Sequence, residues 1–206
     1  MTASGTVPPR RRTADALLRS SSDARWAKVA ADAFDDTLAD HAHCEKKAAA
    51  SAIALINDYP GDTRLVHALG HLAEEEIGHF REIHAELVER GAALPRDRGD
   101  PYVKQLLANQ RKPAHERKLD RLLVCALIEA RSCERFQLLG AELAVRGEGE
   151  LAARFRRLES SEAGHAALFV KLARDEFGGA ADARLDELAV LEAGIVAALP
   201  IVARIH

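Results

Sequence analysis

The chain has 206 residues, enough for one domain with a substantial core. Its net charge of −3 excludes a domain that grips nucleic acid by overall charge, and no apolar run approaches the roughly 18 to 20 residues of a membrane span. Forty alanines against 7 prolines and an aromatic share of 4% favour helix over the β-branched and aromatic composition of sheets, so the expected class is all-α.

Residues 1–20 carry Arg10, Arg11 and Arg12 without a following apolar stretch, and read as a flexible lead rather than a secretory signal; residues 21–206 read as a single helical domain. Cys44, Cys125 and Cys133 are odd in number and form no C-x-x-C pair, which fits a reducing cytoplasm. From Asp23 to Asn57, apolar residues recur at helical spacing from Trp26 through Phe34, Leu38 and Ala49 to Ile56, with Ser21 or Ser22 placed to cap the start. The cluster from Asn57 to Asp62, with Pro60 and Gly61, makes a turn. A second helix runs to Arg90 on the stripe Leu65, Leu69, Leu72, Ile83 and Leu87, and Gly91 ends it. Residues 91–113 form a long link with a short helix at Tyr102 to Ala108. A third helix spans Ala114 to Arg146, a fourth Glu150 to Phe177, and a fifth Arg184 to Ile205.

Four helices of about 25 to 35 residues, at about 1.5 Å per residue, suit a bundle rather than a pile of short helices. Their links are short, long and short, which predicts two antiparallel hairpins joined by the 91–113 crossover, with an additional C-terminal helix.

The second helix of each hairpin contains a Glu-x-x-His sequence, Glu76-Ile77-Gly78-His79 and Glu162-Ala163-Gly164-His165. Composition alone would supply about one such pair, so context carries the argument. A glutamate and a histidine three apart share a helix face and can hold one metal ion. A carboxylate-bridged di-metal bundle also needs one glutamate from each remaining helix. Glu45 lies on the apolar stripe of the first helix and Glu129 on that of the third. Glu45 and Glu76 are 31 residues apart, Glu129 and Glu162 are 33 apart, and this near-twofold spacing sets the four carboxylates at similar heights. Two divalent ions would cancel four buried carboxylates, and oxygen-rich ligands with one imidazole per metal favour iron or manganese over structural zinc. Glu134 competes with Glu129, but its distance to Glu162 is only 28. Both Glu-x-x-His sequences place glycine before the histidine, which suggests close helix contact there. His41, His43, His67 and His71 read as surface groups or as supports for the ligands.

Two further segments invite a binding role. Gly147 to Ala152 matches G-x-G-x-x-A but follows a helix rather than a strand, so dinucleotide binding is not expected. Lys104 to Arg121 carries a local excess of four positive charges, either a solvated face or a patch that contacts phosphates near the bundle mouth.

Four stretches resemble the tRNA hydroxylase family that acts on 2-methylthio-isopentenyl-adenosine beside the anticodon. They are Asp40 to Ala49, Glu75 to Phe80, Leu127 to Phe136 and Ser161 to His165, within a similarity running from Trp26 to Ala173. The resemblance implies a ferritin-like di-iron monooxygenase that hydroxylates the isopentenyl group of the tRNA nucleoside. It carries over Glu45, Glu76, His79, Glu129, Glu162 and His165 as ligands of two iron ions, with O2 as co-substrate. In the absence of a flavin or nicotinamide fingerprint, the electrons are expected from a separate ferredoxin or reductase. The alternatives are a ferritin-like or rubrerythrin-like iron oxidase using the same ligands, which the long 91–113 link disfavours, and a bundle that binds no metal.

Overall fold

The computed structural model describes residues 14–206. Among these the chain forms seven helices and no strand: α1 (Arg25–Asp32), α2 (Phe34–Asp58), α3 (Thr63–Glu89), α4 (Pro101–Ala108), α5 (Ala114–Val145), α6 (Gly149–Phe177) and α7 (Gly179–Ala198), after a 3-10 turn at Asp15–Leu17. Helices α2 and α3 pack as one hairpin and α5 and α6 as the other, with the crossover between them as the link lengths predict. This is an all-α, ferritin-like four-helix bundle carrying α7 as an extra element.

The hairpin ends follow from local chemistry. The Asp62 side chain accepts from Leu65 N at 3.0 Å and starts α3. Asp100 does the same for α4 through Val103 N, with Pro101 in the first helical turn. Gly91 and Gly147 take positive φ values of 76° and 86° after α3 and α5, where the following residue's N–H closes back on Leu87 O and Leu143 O.

Three features differ from the sequence reading. The first long helix is broken at Ala33, whose φ of −115° and ψ of 54° leave the helical region, and Thr37 Oγ1 bonds Ala30 O across the break. The last helix begins at Gly179 rather than Arg184 and stops at Ala198, because Pro200 disfavours a helical Leu199; residues 199–206 continue as a non-helical tail. Of the expected flexible lead, residues 1–13 lie outside the described residues, while Ala14 and Leu18 are buried in the core beside α7.

The core is divided. One apolar cluster includes Leu55, Leu69, Leu127 and Phe169, and the other Leu38, Ile83, Phe136 and Phe155. On α2, α3 and α6 the division falls at Glu45, Glu76 and Glu162. Buried polar links then fix the outer elements. Arg131 of α5 is fully buried and donates from Nε and Nη2 to both oxygens of Glu192 on α7, at 2.9 and 3.0 Å. Tyr102 of α4 donates to the same glutamate at 3.0 Å. The tail is held by Ile205 N on Asp40 (2.8 Å) and by Trp26 Nε1 on Arg204 O (2.9 Å). Among the described residues no helix is long and apolar enough to cross a membrane.

Candidate metal centre

All six residues singled out as ligands meet in the division of the core. Glu45, Glu76, His79 and Glu162 offer donor atoms within 4.8 Å of one another, and so do Glu76, Glu129, Glu162 and His165. The two groups share Glu76 and Glu162, which therefore stand between two neighbouring candidate positions for a metal ion. The five residues other than His79 are buried, and the two imidazole centroids are 6.1 Å apart.

Helix periodicity explains the convergence, because residues three apart on α3 and on α6 project from one face, and that face is turned inward by the Leu and Ala stripe it belongs to. His165 Nδ1 lies 3.0 Å from Glu76 and 3.3 Å from Glu162; His79 Nδ1 lies 3.4, 3.6 and 3.8 Å from Glu45, Glu76 and Glu162. Even so, both Glu76 oxygens, His79 Nδ1 and Glu162 Oε1 are buried without a hydrogen bond of acceptable geometry. Lone pairs aimed at a common point rather than at protons are what a cation site requires, and orphaned buried groups of this kind are otherwise costly.

The electrostatics agree. Burial raises the carboxyl pKa of Glu45 and Glu129 well above the ordinary range, and neighbouring carboxylates add to it. Burial alone would also raise Glu76, but His165 and His79 outweigh it and hold its carboxyl low. Burial opposes charge on the imidazoles, yet the surrounding carboxylates push His79 up to about 10 and His165 up to about 12. Unbalanced negative charge thus recruits protons where no cation supplies the balance. Two divalent ions satisfy the same demand, and the oxygen-rich donor set suits iron or manganese. These clusters point to a metal centre.

The neighbouring groups sort themselves by contact. His41 is fully buried, its Nε2 bonds Glu45, and burial drops its pKa to about 3, so it supports that carboxylate as a neutral ring. His165 Nε2 meets Glu75 at 2.9 Å. Glu134, the rival of Glu129, takes no part: Ser22 N and Oγ each donate to it at 2.7 Å, and Arg131 completes the group. His43 bonds Pro95 O, and His67 and His71 lie exposed against each other on α3. The close contact expected at Gly78 and Gly164 is absent, since an added Cβ at either would meet nothing within 4 Å, and nothing in the structure explains these two glycines.

Sequence reasoning did not place or line the cavity of about 240 Å³ that lies between α2, α4 and α5. Glu129 forms part of its wall, with Ala48, Val103, Ile128 and Phe169 supplying apolar surface and Lys47 and Asp100 at polar positions. His206 closes one side: its Nε2 meets Ser132 Oγ at 2.9 Å, its Nδ1 faces Asp100 and Cys44 at 3.4 and 3.6 Å, and its ring stacks on Tyr102.

A model of the family described as tRNA-(MS[2]IO[6]A)-hydroxylase (MiaE) matches residues 10–206. The chain belongs to the MiaE family. A Pseudomonas putida member, named tRNA 2-(methylsulfanyl)-N(6)-isopentenyladenosine(37) hydroxylase, is 35% identical over 175 residues, covering 84% of this chain and 83% of its own. A Salmonella typhimurium protein of the same name is 28% identical over 139 residues, 68% of this chain and 50% of its own. Among solved structures, "Protein 43 with aldehyde deformylating oxygenase activity from Synechococcus" superposes with a TM-score of 0.85 at 32% identity, covering 92% of this chain and 95% of that one. This chain thus shares its bundle with an oxygenase named for a different activity, and what separates the two activities must be sought beside the cage rather than in the fold.

Proposed function

We propose that this chain is a cytoplasmic di-iron monooxygenase that hydroxylates the isopentenyl group of 2-methylthio-isopentenyl-adenosine in tRNA, beside the anticodon. The observation that carries the reading is the six-residue cage with one of its carboxylates, Glu129, in the wall of an apolar cavity. Glu45 and His79 would hold one iron, Glu129 and His165 the other, with Glu76 and Glu162 between them. When bound, the two irons supply the activation of O2 needed to attack an unactivated C–H bond, with electrons from an external ferredoxin or reductase.

The chain's own residues do the rest. Pockets for drug-sized ligands run to about 300–1,000 Å³, so a cavity of about 240 Å³ has room for a five-carbon branch but not for a whole nucleotide. Ile128, Val103 and Phe169 exclude water from the reacting carbon, and the Glu129 wall orients that carbon toward the cage. His41 fixes the Glu45 carboxylate through its Nε2 proton and stays neutral while doing so.

The test is to load the protein with iron(II), supply a reductant and O2, add tRNA bearing the 2-methylthio-isopentenyl nucleoside, and digest it. A nucleoside heavier by one oxygen is expected. Iron oxidation with mineral accumulation and no such product would move the chain to the iron-oxidase class.

A further inference from the structure

We infer that the rim formed by Arg96 and Arg98 of the crossover and Lys104 of α4 is the face that receives the phosphates of the tRNA anticodon arm. This rests on the substrate reading above. A nucleotide whose prenyl group enters the cavity brings its own flanking phosphates to the mouth, so cations are expected there.

Half of the cations in the segment that looked basic in sequence are already spent on acids. Within Lys104 to Arg121, Arg111 is paired with Asp120, Lys118 with Asp62 and Glu176, and Arg121 with Asp58. By contrast, Arg96, Arg98 and Lys104 are exposed and have no carboxylate partner among the described residues. The backbone that carries the two arginines is fixed. His43 Nε2 meets Pro95 O at 2.9 Å, Gly99 N donates to Asp97 at 2.8 Å, and Arg204 donates to Gly99 O at 2.8 Å. Lys47 ties this loop to the cavity, since it lines the cavity and lies 3.7 Å from Asp97. The nearby acids are mostly engaged: Asp97 by Lys47, Asp100 by His206, and Asp40 by the tail. Asp36 shares a surface hollow with Arg96 and Arg98 and has no cation partner among the described residues, which disfavours an anion inside the hollow and assigns the phosphates to the outer rim. Cations presented on a fixed backbone position a nucleic acid without reading its bases, and each phosphate contact adds about one unit to the salt slope.

The experiment measures binding of a synthetic anticodon stem-loop carrying the modified adenosine, over a range of salt, to the wild type, to an Arg96→Ala/Arg98→Ala/Lys104→Ala variant, and to a Lys112→Ala/Arg117→Ala control. Both control residues are exposed cations, unpaired among the described residues, near the start of α5. The rim variant should bind at least about tenfold more weakly near physiological salt, with its salt slope reduced by about two to three units, and the control should stay within about twofold. Its oxidation of the free modified nucleoside should match the wild type. A rim variant with unchanged affinity and slope, or a control that weakens equally, overturns the proposal. Wild-type binding with this rim dependence but without oxidation supports the face and overturns the hydroxylase reading. A wild type that does not bind the stem-loop overturns both.

Discussion

At one end of the cage, Glu45 is backed by a neutral His41 whose ring lies 4.6 Å from that of Phe136, deep in the second apolar cluster. At the other end, Glu129 has a cavity beside it, and the buttress falls instead on His165 through the exposed carboxylate of Glu75. The two hairpins therefore deliver equivalent candidate ligands, but one end is closed by packing and the other faces a cavity. Twofold ligand geometry does not imply twofold chemistry: under the proposed function, the direction of approach is set by which carboxylate borders the cavity.

The largest effect that would break this comparison is on Glu129 itself. Glu129→Ala should lose at least one metal ion per chain and reduce turnover by more than about a hundredfold, read by metal analysis and product formation. Glu134→Ala should keep its metal and lose stability instead, by about 2 kcal/mol or some 4–8 °C in Tm, because Arg131 and Ser22 lose a buried charged acceptor. Metal loss confined to the Glu134 variant would reverse the assignment.

A smaller effect sharpens the contrast between the two buttresses. His41→Ala should weaken metal binding by about 10- to 100-fold, chiefly at the Glu45 position, whereas Glu75→Ala, removing an exposed group, should change it far less. Titration of the apo protein with iron(II) or manganese(II) reads both; equal losses would mean that the ends are supported alike.

The smallest effect concerns the polar edge of the cavity. Burial would raise the Asp100 carboxyl, but His206 outweighs it and brings it down to about 2. A depressed carboxyl stabilises the fold above its unfolded value near 3.9, and that contribution is lost as pH falls from there toward about 2. Asp100→Asn retains an acceptor able to cap α4, so near pH 7 it should cost about 1–2 kcal/mol in denaturant unfolding. The gap from wild type should narrow below about pH 4; a gap independent of pH would assign the loss to the cap instead.

The cage was legible because its residues lie at fixed offsets on long amphipathic helices, so spacing alone matched Glu45 to Glu76 and Glu129 to Glu162. The preference for Glu129 over Glu134 came from the same arithmetic. What sequence could not give was pairing across elements. Arg121 meets Asp58 and Arg111 meets Asp120 only once α2, α5 and the crossover are assembled, and so the sequence left a run of positive charge open between a solvated face and a phosphate-contacting patch. The break at Ala33 was hidden because no proline or glycine marks it and Thr37 stabilises it locally. The stop before Pro200 was visible in the sequence, although the expected helix ran past it to Ile205.

Trp26, the sole tryptophan of the chain, is almost fully buried, with its indole N–H on Arg204 O and the Arg135 guanidinium 5.0 Å above the ring. Its fluorescence therefore comes from one place, where α1, α5 and the tail that carries His206 are joined. Any loosening of that tail exposes the only strong emitter to water and shifts its spectrum to the red, which gives the protein an intrinsic optical gauge of whether the side of the cavity held by His206 is shut.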